Sequence, residues 1–227
     1  MKITKILSGL LGFLLILFIA YSIFGLFAYN RLHGEAIGAY DKGRFKELRD
    51  GDIIFQTSKS SQSKAIQLAT NSRYSHMGII YKNAEEYYVY EAVQPVKLTP
   101  LAEWIDRGDG DHFVVKRLKN AKEILTSSAL VEMKNVGERF LGKAYDIYFE
   151  WSDNRIYCSE LVWKIYQEAL GVEVGEPEQL SDFDLSHSAV KAKMKERYGD
   201  EVPLQEKVIS PAAMFESENL ITIMKTK

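Results

Sequence analysis

Hydrophobic and polar positions along this chain follow two periods, and one long stretch follows neither. The stretch without a period is Ile6 to Tyr29, which is uncharged and almost wholly apolar. It exceeds the roughly 20 residues a helix needs to cross a bilayer. Beyond it the pattern becomes that of a globular protein. Asp50-Gly51-Asp52 is a turn signal leading into a short strand, Ile53 to Gln56. Ser58 to Ser63 reads as a loop, and Ser63 to Asn71 as a helix with Ala65, Ile66 and Ala69 on one side. Ser75 to Tyr81 and Tyr87 to Val93 read as two strands joined by a turn at Asn83-Ala84-Glu85, a hairpin. A short helix is expected at Leu101 to Ile105, and a strand at His112 to Leu118 after the loop Gly108-Asp109-Gly110-Asp111. Residues 121–140 carry one long helical pattern. In 158–170, Leu161, Val162, Ile165, Ala169 and Leu170 recur at three- and four-residue spacing, giving a second helix with a buried face. A charged helix over about 184–197 and a strand at Leu220 to Met224 complete the expectation. The sum is an α+β domain, a small antiparallel sheet with helices packed on it.

The apolar N-terminus changes the picture of where this domain works. Its uncharged run is longer than the core of a cleaved signal peptide, and Leu26-Phe27-Ala28 is a poor cleavage site, so an uncleaved anchor is favoured. Residues 1–30 are then a transmembrane helix, 31–48 a linker and 49–227 the functional domain. Positive charges nearly balance across the span, with Lys2 and Lys5 before it and Arg31, Lys42 and Arg44 after it. A short basic N-terminus ahead of a first span usually stays in the cytoplasm. That places the domain on the periplasmic or extracellular side, secreted if the anchor is cut.

Composition narrows the chemistry. Hydrophobic residues make up 46% and charged residues 26%, which is ordinary for a folded protein. A net charge of −2 argues against nucleic acid as a partner. The single cysteine, Cys158, excludes an internal disulfide and an all-cysteine metal site. It falls where the irregular stretch Trp151 to Arg155 gives way to the second helix. Unpaired N–H groups at a helix start favour an anion, so a thiol there ionises more easily. The competing reading is that a lone cysteine is a small buried hydrophobe. In an oxidising compartment, however, a free thiol needs a reason.

A base is available in the hairpin. Of the four histidines, His33, His112 and His187 read as surface or satisfied residues, whereas His76 sits inside an apolar strand and needs a partner. A four-residue turn pairs His76 with Glu91. A two-residue turn pairs it with Val93 and leaves Glu91 as the diagonal neighbour. Both registers put His76 and Glu91 on one face; a one-residue slip would separate them. Gly78, on the same face, would leave space for something to approach. Such a pair can be purely structural, tying two strands together. It can also fix the tautomer of a general base.

Spacing alone does not join His76 to Cys158. The segments Asp50-Gly51-Asp52-Ile53-Ile54-Phe55, Ser75-His76-Met77-Gly78-Ile79, Tyr90-Glu91-Ala92, Gly142-Lys143-Ala144-Tyr145-Asp146 and Tyr157-Cys158-Ser159-Glu160-Leu161-Val162 do. Together they resemble the permuted papain-like hydrolases of the NlpC superfamily, and within it the YiiX/YaeF-type amidase family, over about residues 45–215. The resemblance implies a circularly permuted papain-like fold with Cys158 as nucleophile, His76 as general base and Glu91 as orienting acid. It implies no cofactor. Acyl transfer to the thiol would draw on the backbone N–H groups of Cys158 and Ser159 for the oxyanion. Tyr157 and Tyr145 would line the substrate site, although packing alone also accounts for a tyrosine at either place. Glu160 reads as structural in the first helical turn, and Asp52 and Gln56 as shaping the first strand. A metal site from one Cys, one His and one Glu is the weaker use of these residues. The resulting expectation is a membrane-anchored cysteine hydrolase cutting an amide, in a peptide or cell-wall peptide. The alternatives are a lipid-directed thioesterase, phospholipase or acyltransferase of the same fold, or a non-catalytic binding module.

Overall fold

The short strand patterns in the sequence become a six-stranded antiparallel sheet in the computed structural model of this chain, which describes residue 43, residues 45–84 and residues 86–226. In chain order the elements are β1 (Ile53–Ser58), α1 (Ser63–Thr70), β2 (His76–Asn83), β3 (Glu86–Glu91), β4 (Lys97–Pro100), α2 (Leu101–Asp106) and β5 (Gly108–Leu118). Then follow α3 (Ala121–Ile124), α4 (Ser127–Glu138), β6 (Ala144–Tyr145), β7 (Arg155–Ile156) and α5 (Cys158–Leu170). The chain closes with β8 (Glu178–Gln179), a 3₁₀ turn (Leu180–Asp182), α6 (Ser188–Tyr198), β9 (Lys207–Val208), α7 (Pro211–Phe215) and β10 (Leu220–Lys225). The sheet order is β10-β5-β1-β2-β3-β4, with β6–β7 and β8–β9 as small separate pairs. One unit spans Leu48–Lys227. The expected transmembrane helix lies outside the described residues. Among the described residues no helix is long and apolar enough to cross a membrane.

The sheet is buried on both faces, which explains why β1 begins Ile-Ile-Phe rather than alternating with polar residues. On one face Ile53, Phe55, Met77, Ile79 and Tyr90 join Leu161, Val162 and Ile165 of α5 and Met133 and Val136 of α4 in one core. On the other, Ile54, Ile80, Val89 and Val115 are equally buried, and α2 packs there against β3, β4 and β5. α5 holds its place because its apolar stripe faces β2 and α4. Its end is set by Gly171 in the left-handed region at φ 65°, with its N–H returned to Gln167 O and Tyr166 O.

Several expectations are corrected. The pattern over 121–140 is two helices, not one, because the Thr126 hydroxyl accepts the Ala129 N–H at 3.2 Å and caps a new start. Residues Gly108 to Asp111 belong to β5 rather than a loop, with a bulge in the pairing to β1 between Gln56 and Ser58. β4 is a strand the sequence reading missed, and the second hairpin strand stops at Glu91 rather than Val93. The charged helix starts at Ser188 rather than about 184.

Gly78 is the position where the hairpin is tightest. Asn83 pairs with Glu86 and Ile79 with Tyr90, which is the two-residue register. One further rung sets Gly78 opposite Glu91. A Cβ at Gly78 would fall 2.5 Å from Val89 Cγ1, 2.7 Å from Tyr90 O and 3.3 Å from Glu91 Cβ. The glycine therefore makes room for the neighbouring strand, not for an incoming ligand as its sequence position suggested. Gly78→Ala should destabilise the domain by ~1–3 kcal/mol, the usual cost of forced overpacking. A lower urea midpoint at unchanged m-value is the expected result; an unchanged midpoint would contradict this packing.

Candidate active site

Three segments that are distant in sequence meet at one end of the sheet. His76 is the first residue of β2, Glu91 the last of β3, and Cys158 the first of α5. Ser75, just before His76, fixes that strand start. Its hydroxyl shares a hydrogen bond of 2.7 Å with Ser63 at the head of α1 and accepts the Ser58 N–H at 3.0 Å.

His76 Nε2 lies 2.5 Å from Glu91 Oε2. The other ring nitrogen, Nδ1, is left free of Glu91, and the nearby Cys158 helps the imidazole hold its proton. Glu91 is fully buried and its charge is compensated from three sides. Besides His76, it accepts Thr99 Oγ1 from β4 at 2.5 Å and Arg107 Nη2 from the end of α2. Trp104 of α2 stacks over His76 with centroids 5.9 Å apart and planes 25° from parallel. Burial alone would discharge both groups, and the pairing outweighs it. Hydrogen bonds and charge from Cys158 and Glu91 hold the imidazole up to about 9, and His76, Thr99 and Arg107 hold Glu91 down to about 2.

At the head of α5, Glu160 Oε2 accepts the Tyr157 N–H at 3.5 Å and its side chain pairs with Lys164. It is a structural cap, as expected. The first-turn N–H groups of Cys158 and Ser159 head this helix. The Ser159 hydroxyl is turned away, donating to Ile209 O at 2.8 Å. Tyr157 is buried with its hydroxyl accepting the Ile209 N–H at 3.1 Å, so its phenol is tied into the wall. Tyr145 sits at the cleft, where its hydroxyl accepts Gln62 Nε2 at 2.9 Å. Asp52 lies away from the triad and takes both an Arg117 guanidinium and the Arg49 N–H. Gln56 pairs with His76 across β1 and β2.

A slot with a cavity volume of about 60 Å³ opens beside Cys158 and Ser159. Its walls are apolar, with Ala65, Ile66 and Ala69 from α1 and Val190 and Met194 from α6. It is far smaller than the roughly 300–1,000 Å³ of a pocket for a whole small molecule, so it fits a single side chain or the end of a chain. Gln62, Tyr145, Lys193 and Arg197 supply its polar rim.

Sequence reasoning named Cys158, His76 and Glu91, and the fold brings all three together. It missed Thr99, Trp104 and Arg107, which sit on β4 and α2. Only the buried charge of Glu91, which demands a cation and a donor, could have prompted a search for them.

The family model described as permuted papain-like amidase enzyme, YaeF/YiiX, C92 family, matches residues 47–224. The chain is 51% identical over 175 residues to the uncharacterized protein YiiX of Escherichia coli strain K12, covering 77% of this chain and 85% of that protein. A crystal structure described as metalloprotein yiiX, from Escherichia coli O157:H7, superposes with a TM-score of 0.76 at 50% identity, covering 79% of this chain and 98% of that one.

Two outcomes follow from the charge arrangement. In an NMR titration the His76 imidazole should lose its proton near pH 9, and both Cys158→Ala and Glu91→Gln should lower that midpoint; an unmoved midpoint would refute the contacts. The stability that His76 adds is complete below its ordinary value of 6.5 and lost as pH rises through about 9. That from Glu91 is complete above 4.5 and lost as pH falls through about 2. Glu91→Ala should cost roughly 3–5 kcal/mol in urea unfolding near pH 6, because it strands a buried charge.

Proposed function

Since the chain belongs to the permuted papain-like amidase family, we propose that it is a membrane-anchored cysteine hydrolase that cleaves an amide bond through a thioacyl-enzyme intermediate. The observation that carries this is the buried His76–Glu91 pair, 2.5 Å apart, with Cys158 at the head of α5 close enough to shift the imidazole. His76 Nδ1 takes the thiol proton, and Sγ attacks the carbonyl carbon. The carbonyl oxygen becomes an oxyanion facing the first-turn N–H groups of Cys158 and Ser159, each such donor being worth ~3 kcal/mol. His76 then returns the proton to the departing amine. Water, activated by the freed imidazole, releases the acyl group. Glu91 keeps Nε2 protonated and stabilises the imidazolium without itself taking the proton.

The anchored, outward-facing placement rests on the apolar run of residues 6–29 and makes cell-wall peptide a natural substrate. The apolar slot favours a second reading, a lipid-directed hydrolase or acyltransferase whose acyl chain would enter between α1 and α6.

The relative described as a metalloprotein raises the question of a metal here. Among the described residues no group of three His, Cys, Asp or Glu is gathered to hold an ion. Glu91 meets His76 on the ring nitrogen away from the thiol, and its oxygens are engaged by His76, Thr99 and Arg107. Cys158, His76 and Glu91 therefore do not converge on one point.

Full-length protein in detergent, incubated with peptidoglycan peptides and separately with phospholipids, tests the two readings. Release of amine from the peptides, falling at least ~10³-fold in Cys158→Ala, is the expected result. Turnover of phospholipid alone would replace the amidase with the lipid enzyme, and Cys158→Ala activity equal to wild type would eliminate both.

A further inference from the structure

Phe149 stands in a backbone conformation that its side chain does not favour. Its φ is 55°, in the left-handed region where glycine is the ordinary occupant. The other non-glycine residues with positive φ among the described residues are Asn71, Ala84 and Asp111, each much smaller. A bulky aromatic there is an outlier, and such strain persists only where its surroundings impose it. The buried carboxylate of Asp146 imposes it. Asp146 Oδ1 accepts the Tyr148 N–H at 2.9 Å and Oδ2 the Glu150 N–H at 2.7 Å, one on each side of Phe149. On backbone grounds a glycine would suit this loop better, so the ring answers to something outside the loop.

That something is the slot beside Cys158, which the Phe149 side chain helps to line. The ring meets Tyr157 edge-on, with centroids 5.1 Å apart and planes at 86°, and Tyr157 is itself tied to Ile209. The Arg197 guanidinium of α6 lies 4.8 Å from the ring centroid. Phe149 is thus gripped between the head of α5 and α6, and the slot it borders keeps a volume of only about 60 Å³.

We propose that Phe149 is the specificity-determining residue of the slot: its ring, held in a strained loop by Asp146, limits the group bound beside the thiol to a short apolar one. On the cysteine-hydrolase reading, that group is the acyl portion that stays on Sγ after the amine leaves. The substrate class is then an amide with a short apolar group on its carbonyl side. The identity of the group rests on that reading; the size limit does not.

Cys158 is the only cysteine, so a thiol-directed probe reports on one site. Full-length protein in detergent is treated with butyl or octyl methanethiosulfonate, and the mixed disulfide is followed by mass spectrometry. The Cys158 thiolate attacks the divalent sulfur, the new S–S bond forms, the S–SO₂ bond breaks, and methanesulfinate leaves with the electron pair. Comparing variant with wild type at each chain length cancels partition into the detergent. Phe149→Gly removes the ring and adopts the same φ without strain, so the loop keeps its path. It should raise the octyl rate at least ~10-fold, the low end of what one methylene is worth in an apolar pocket, and leave the butyl rate within threefold. Phe149→Leu, which keeps a smaller apolar side chain, should give a lesser rise in the same direction. An octyl rate within threefold of wild type in Phe149→Gly would overturn the proposal. So would an equal rise at both chain lengths, which marks a loosened thiol rather than a wider slot. Wild type is also reacted with p-nitrophenyl butyrate. If it takes the butyl disulfide yet forms no butyryl adduct on Cys158, the cysteine-hydrolase reading falls, and with it the acyl group assigned to the slot, while the disulfide rates still decide the size limit.

Discussion

The buried contact between His76 and Glu91 is the constraint on which the rest of the structure turns. It exists only because β2 and β3 pair in one register, set by the two residues left between Asn83 and Glu86. A slip by a single residue would send Glu91 to the opposite face of the sheet. It also needs Gly78, whose missing Cβ is the space into which β3 approaches. Once a carboxylate is fully buried there, it must be compensated, and β4 and α2 are the elements that do so through Thr99 and Arg107. The sheet edge is thus extended by a short strand and a short helix whose placement makes the charge tolerable.

A second constraint comes from the two faces of the sheet. Cys158 belongs to the core shared with α4 and α5, while Trp104, which stacks on His76, lies on the face covered by α2. Thiol and imidazole can meet only at the end of a strand, where neither face is closed. His76 as the first residue of β2 and Cys158 as the first of α5 satisfy that condition together. The serine before His76 is the anchor of this edge, tied to both β1 and α1. The remaining side of the cleft is closed by α1 and α6, so the apolar stripe of α1 faces the slot beside the thiol.

Much of this was legible in the sequence because the signals were local. The 3.6-residue period located α5, and short apolar runs beside turn signals located β1 and β2. Both candidate hairpin registers put His76 and Glu91 on one face, so the pair survived the ambiguity. What escaped were features set by tertiary context. Lys97 to Pro100 is too short and polar to read as a strand, and it becomes one only because β3 offers it an edge. Arg107 and Thr99 carry no sequence signal, since their roles derive from the charge of Glu91, and Trp104 carries none because it acts only by stacking on His76. Gln62 and Arg197 are far apart in the chain and meet only because α1 packs against α6. The break after Ile124 was hidden because the apolar positions continue through it while Thr126 resets the hydrogen bonding.

The polar rim of the slot bears on which substrate the cleft can take. A phospholipid would bring a phosphate as well as an acyl chain, and a phosphate wants an uncommitted cation. Among the described residues lining the slot, the cations are Lys193 and Arg197. Lys193 is paired with Glu196, and Arg197 is spent on the Gln62 amide and the face of Phe149. Releasing Arg197 to a phosphate would break its hydrogen bond to the Gln62 amide. Binding an anionic headgroup at that rim would therefore cost contacts already made there. The apolar slot fits a hydrophobic acyl portion of either substrate class, but the polar rim suits a neutral one.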